Sequence, residues 1–145
     1  MRLGRLNHIG VAVPDMGAAI TFWREVMGAS KFSEEILIED HGMRVVFVET
    51  PVSAGLNGTQ IELIAEITPG TAISKFLEKN PSGGQHHVCF EVPEIVAARA
   101  WFENAGKRVL GPTRPGAHGT PIFFVHPGDM GGVLTEIMET PKDAH

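Results

Sequence analysis

The chain carries one cysteine, Cys89, in 145 residues. No disulfide can form within it, which fits a reducing compartment. It also lacks any apolar run near the ~20 residues that span a bilayer, which excludes a transmembrane helix. Arg2 and Arg5 are followed by neither a long apolar segment nor a small-residue cleavage site, so a secretory signal is not expected and the cytoplasm is the expected location. Basic residues are no majority: 12 Lys and Arg stand against 17 Asp and Glu, without a cationic cluster, and nucleic acid is therefore not an expected partner. No low-complexity linker divides the chain. A length of 145 residues with 43% hydrophobic content is read as a single domain, able to bury its own core without a structural metal.

What is present is an internal repeat. Asn7-His8-Ile9-Gly10-Val11-Ala12-Val13-Pro14-Asp15 returns as His86-His87-Val88-Cys89-Phe90-Glu91-Val92-Pro93-Glu94, at an offset of 79 residues from His8 to His87. The match continues through Ala18-Ala19 with Ala97-Ala98 and Phe22-Trp23 with Trp101-Phe102. A second echo, Gly58-Thr59-Gln60-Ile61-Glu62-Leu63 with Gly132-Val133-Leu134-Thr135-Glu136-Ile137, has an offset of 74. Each half thus opens with a histidine and closes with a glutamate. Two imidazoles and two carboxylates, brought together by equivalent modules, suit a divalent metal ion.

Periodicity gives the elements. Residues 5–13 alternate in the manner of a strand, and Pro14-Asp15 caps a helix over 16–27 with Ala19, Phe22, Trp23 and Val26 inward and Gly28 as its stop. Strands are expected over 31–38, 43–50 and 59–66, with a loose stretch from Pro51 to Gly58. A connecting helix over about 69–80, with Ile73, Phe76 and Leu77 inward, leads to a repeat of the plan: strand 85–92, helix 94–104, and strands near 107–110, 120–126 and 132–139. The expected fold is α+β: two tandem βαβββ modules, about 5–67 and 84–140, forming a curved eight-stranded mixed sheet around a metal site, with helices on its outer face.

Strand parity tests the metal idea. His87 shares a face with Cys89 and Glu91, Glu62 with Gln60 and Ile64, and Glu136 with Leu134 and Met138. All these faces lie opposite the apolar ones that helices should cover, and such a polar face either meets solvent or curls around an ion. His86 then points to the helix side. His41, His118, His126 and His145 have no counterpart in the repeat; the terminal His145 is expected to be disordered. His118 lies in a loop that either lines a pocket or stays on the surface. Cys89 reads as a small buried residue.

These residues, together with Glu39-Asp40-His41-Gly42, Phe76-Leu77-Glu78-Lys79-Asn80, Gly83-Gly84-Gln85-His86-His87 and Gly116-Ala117-His118-Gly119, carry a resemblance to the vicinal oxygen chelate (glyoxalase/bleomycin resistance) superfamily, and within it to its acyl-CoA epimerase branch. The resemblance implies metal ligation by His8, Glu62, His87 and Glu136. It implies cobalt as the ion, with zinc, nickel or manganese as alternatives, and an acyl-CoA substrate. The implied reaction interconverts the 2R and 2S forms of methylmalonyl-CoA through a metal-chelated enolate. Glu136 is the expected leading acid/base and Glu62 the other, each approaching from its own half of the site; the additional carboxylate that some relatives of this resemblance carry on the strand Val45-Val46-Phe47-Val48 has no counterpart here before Glu49. A homodimer is implied as well. Lys75, Lys79, Lys107, Arg108 and Arg114 are available to the coenzyme's phosphates, without a choice among them. Two rivals share the scaffold: a glyoxalase I-type lactoylglutathione lyase and a non-enzymatic ligand binder. A ring-cleaving dioxygenase would use two histidines and one carboxylate, leaving the second glutamate unexplained.

Overall fold

Alternating side chains make β1 over Leu6–Ala12, and the helix it leads into, α1, spans Met16–Glu25. Asp15 starts that helix: its backbone is extended and its Oδ1 accepts the Ala18 N–H at 3.1 Å. Further along come β2 Ile36–Ile38, β3 Met43–Glu49, β4 Gln60–Glu66, α2 Ser74–Lys79 and β5 Gly84–Val92, followed by α3 Ile95–Asn104, β6 Val109–Pro115, β7 Pro121–Val125 and β8 Thr135–Glu139. The computed structural model describes residues 1–51 and 58–142; His145 and the interior of the Pro51–Gly58 stretch lie outside the described residues.

The chain divides into two units, residues 9–86 and residues 1–8 with 87 onward. In the first, the strand order is β2-β3-β4-β1 and the β2–β3 and β3–β4 ladders are antiparallel. In the second it is β1-β5-β8-β7-β6, with β5 parallel to β8 and the remaining β6–β7 and β7–β8 pairs antiparallel. β1 belongs to both, passing from one to the other between His8 and Ile9, and the eight strands form one mixed sheet.

In the first unit, α1 lays Met16, Ala19, Ile20 and Trp23 on Val11, Val13, Val46, Val48, Leu63 and Ala65. These alternate positions on β3 and β4 leave Val45, Phe47, Glu62 and Ile64 on the other face, also buried. In the second, α3 lays Ile95, Ala98 and Phe102 on Val92, Phe123, Val125 and Ile137. Its first N–H is capped from a distance, Ile95 donating to Glu139 Oε2 at 3.0 Å. Gly83, at φ +86° in the turn before β5, is obligatory: a Cβ there would lie 2.4 Å from the Ala12 carbonyl oxygen.

Several boundaries differ from expectation. The strand expected over 31–38 shrinks to β2 plus a bridge from Phe32 to Val48, because the Ser33 Oγ takes the Phe47 N–H at 2.8 Å where a ladder would run. The connecting helix begins only at Ser74. Glu66 gathers the Thr71 N–H and the hydroxyls of Thr71 and Ser74, and so builds a side-chain turn ahead of it. The strand near 107–110 instead occupies Val109–Pro115 and terminates the sheet order, where a shift in register between Leu110 and Arg114 accommodates Pro112. β8 starts late because Gly131 and Gly132 both have positive φ. On α1, Phe22 and Val26 are 46% and 69% exposed rather than inward, since the contact stripe runs 16-19-20-23.

Candidate metal centre

His8 is carried on β1 on the side away from Val11 and Val13. His87 on β5 and Glu136 on β8 reach the same place within their unit. Glu136 pairs with Cys89 across the β5–β8 ladder and with Phe124 across the β7–β8 ladder, and the Phe124 ring stands edge-on to His87 at 5.4 Å. Cys89, Ile122 and Met138 pack together with Phe124 as an apolar surround. The two imidazoles meet edge to face, with 3.3 Å between their Nε2 atoms. Glu136 Oε1 lies 3.3 Å from His8 Nε2 and 3.1 Å from His87 Nε2.

Glu62, in the other unit, stands directly across the β3–β4 ladder from buried Phe47. One donor atom from each of His8, Glu62, His87 and Glu136 lies within 4.8 Å of the others, and this group can hold a metal ion. The four are 1%, 6%, 2% and 5% exposed in that order.

The donor chemistry fits such an ion. Two ring nitrogens and a carboxylate oxygen converging at hydrogen-bond distance without bulk water bring lone pairs together, and only a cation among them, a proton or a metal, makes that favourable. Two carboxylates balance the charge of a divalent ion, and the neutral imidazoles complete an N/O set suited to cobalt, nickel, zinc or manganese. Burial by itself pushes the Glu136 carboxyl up. The His8 and His87 rings that face it outweigh burial and hold the group at about 2, below its ordinary 4.5.

The other histidines sit elsewhere. His86 packs its ring on Phe76 at 5.3 Å, and His126 caps a short turn by accepting the Gly128 N–H at 2.9 Å. His41 is exposed in a single 3-10 turn. His118 is different: its ring lies 5.8 Å from that of His8. Among the cations, Arg108 is engaged with Asp129 at 2.9 Å, and Arg114 lies over the Phe124 ring at 5.9 Å.

Sequence reasoning passed over a buried chain of polar groups behind His8. Asn7 Oδ1 is 2.7 Å from His8 Nδ1, Asn7 Nδ2 donates to Glu91 Oε2 at 2.8 Å, and Arg5 donates to the same oxygen at 3.0 and 2.7 Å. A signal existed in the lone acid within Val88-Cys89-Phe90-Glu91-Val92, although it could not name the groups it meets.

Comparison with known proteins agrees with this picture. A family model described as the Glyoxalase/Bleomycin resistance protein/Dioxygenase superfamily matches residues 7–124. The chain is 45% identical to an ethylmalonyl-CoA/methylmalonyl-CoA epimerase of Cereibacter sphaeroides, covering 93% of this chain and 97% of that one. It is 44% identical to the mitochondrial methylmalonyl-CoA epimerase of Mus musculus, covering 94% and 73%. A solved structure of a methylmalonyl-CoA epimerase in complex with methylmalonyl-CoA and NH4+ superposes with a TM-score of 0.86 at 30% identity, covering 97% of both chains. Fold, buried His/Glu group and sequence thus lead to one conclusion: the chain belongs to the glyoxalase/bleomycin resistance protein/dioxygenase superfamily and, within it, to the methylmalonyl-CoA epimerase family.

Proposed function

We propose that this protein interconverts the 2R and 2S forms of methylmalonyl-CoA, using a divalent ion, cobalt in the first instance, held by His8, Glu62, His87 and Glu136. The observation that carries the reading is the buried four-donor group, found in a chain 45% identical to a bacterial epimerase.

The reaction removes the proton from the carbon between a thioester and a carboxylate and returns one to the opposite face. Negative charge develops on the thioester oxygen as the proton leaves. An ion bound by this group would supply Lewis-acid stabilisation to that oxygen. The chain's own part is proton handling and exclusion of water. Glu136, held ionised by its imidazole neighbours, starts in the basic form that proton abstraction requires. Glu62 is the second carboxylate, and an epimerase needs a proton acceptor and a donor on opposite faces. The apolar surround of Phe47 beside Glu62, and of Phe124, Cys89 and Met138 beside Glu136, keeps bulk water from quenching the carbanion. The proposal includes a homodimer in the cytoplasm. No helix among the described residues is long and apolar enough to cross a membrane, and Val96 and Trp101 on α3 expose apolar surface for association. Sedimentation at the 15.7 kDa mass of one chain would remove the dimer.

The deciding experiment follows the α-proton signal of methylmalonyl-CoA in deuterated water, first with metal-stripped protein and then after adding cobalt. Rapid loss of the signal only with metal is expected. Protein verified to carry metal yet giving no exchange would retire this substrate.

A further inference from the structure

We propose that Asn7 and Glu91, clamped by Arg5, are positioning residues that fix which nitrogen of His8 carries its hydrogen and which one is left to bind a metal. Glu91 is 3% exposed, and its Oε2 faces two nitrogens of Arg5 and the side-chain amide of Asn7. A guanidinium only donates and a carboxylate only accepts. The part of the Asn7 amide that faces Glu91 is therefore its NH2 group, and the side chain, itself 4% exposed, cannot turn over without opposing oxygen to oxygen.

With the amide fixed, its Oδ1 is what lies 2.7 Å from His8 Nδ1. That oxygen accepts, so Nδ1 carries a hydrogen. A neutral imidazole has only one, which leaves Nε2 bare and directed at His87 Nε2 and Glu136 Oε1. The polarity of the relay is anchored at Arg5, whose charge is permanent. Backbone bonds tie that anchor down: Gly4 N–H donates to the Glu91 carbonyl and Glu91 N–H to the Arg5 carbonyl, each at 3.0 Å. The relay selects the ligating tautomer before any ion arrives, and a site that is already in the binding form gives up less free energy to reorganise. Aspartate in place of Asn7 would still accept from Nδ1 but would set its carboxylate against that of Glu91 and break the link to Arg5.

The consequence for metal affinity rests on the metal reading above, but the tautomer itself does not, and the two are measured separately. Full-length protein carrying 15N-labelled histidine and stripped of metal should show His8 as the Nδ1–H tautomer. Asn7→Leu should yield a mixture, and chelator competition should show cobalt affinity lower by about 10–100-fold. Glu91→Gln retains an accepting oxygen and should keep the tautomer, with a smaller loss. Should the leucine variant be insoluble, Asn7→Ser, too short to reach Nδ1, carries the same expectation. An unchanged tautomer in the Asn7 variants overturns the proposal whether or not affinity falls, because a merely structural role would give that result. A changed tautomer with parental affinity also overturns it. If the parent itself binds no cobalt, the metal reading fails, while the tautomer comparison still decides whether Asn7 and Glu91 orient His8.

Discussion

Replacing Glu136 by Gln preserves shape and removes one charge from a group 5% exposed. In a fully charged site the carboxylate offsets half of a divalent ion's charge, and little water is present to take its place. Removing one partner of a buried ion pair costs about 3–5 kcal/mol. At about 1.4 kcal/mol per factor of ten, cobalt binding should weaken roughly a hundredfold to a few thousandfold. Thermal melts read this directly. At a cobalt concentration of about 100 times the parent's Kd, binding stabilises the parent by about 2.7 kcal/mol. For a chain of this size that corresponds to a rise in Tm of roughly 5–11 °C. The variant at the same concentration gains about 0.4 kcal/mol at most, or roughly 1–2 °C. Without metal the variant also loses the carboxylate's interactions with His8 and His87, so the comparison is of the rise in Tm on adding cobalt to each protein, not of their absolute Tm. With cobalt raised until the variant is loaded, α-proton exchange should still be abolished. Equal Tm shifts in parent and variant would refute Glu136 as a ligand, and near-parental exchange by the loaded variant would refute it as the base.

Two further expectations concern stability. Phe123, fully buried between α3 and β8 with its ring 5.9 Å from that of Phe102, should cost about 3–5 kcal/mol on truncation to alanine, measured by urea unfolding; a loss under about 1 kcal/mol would mean the cavity had collapsed without strain. The Glu66 carboxyl is lowered below 4.5 by hydrogen bonds from Ser74 and Thr71, so its contribution is complete above that pH and is lost as the pH falls through the lowered value. Glu66→Gln should cost about 1.5 kcal/mol at pH 7 and make the decline of stability in acid shallower; parallel curves for the two proteins would show that the turn does not depend on this charge.

Much of the frame was legible because it depends on local period. β1, β4 and β5 alternate cleanly, and the Asp15 cap starts α1 as written in the sequence, although the helix ends at Glu25, ahead of the expected stop at Gly28. The repeat drew attention to His8, Glu62, His87 and Glu136 because equivalent positions in equivalent strands survive in both halves. The remainder depends on neighbours that no local pattern names. Phe22 and Trp23 are both apolar, and only the packing of α1 decides that Trp23 turns inward; in the matching pair, Trp101 is exposed and Phe102 buried. The late start of α2 depends on Glu66 finding Thr71 and Ser74. Pro112 reads as a break, yet the end of a sheet tolerates it. Asn7 and Glu91 are 84 residues apart, and their meeting follows from β1 lying beside β5.

Arg5 and Gly4 precede every strand and helix, in the kind of segment where exopeptidases trim most proteins without effect. Here the first few residues do more than lead into the fold, since Arg5 is the fixed end of the contacts that reach His8. Trimming through Arg5 would touch no residue of either apolar cluster under the helices. It would instead take away the guanidinium that pairs with buried Glu91 and the backbone bonds that Gly4 and Arg5 make to it, so a cut outside every strand and helix would reach the surroundings of His8.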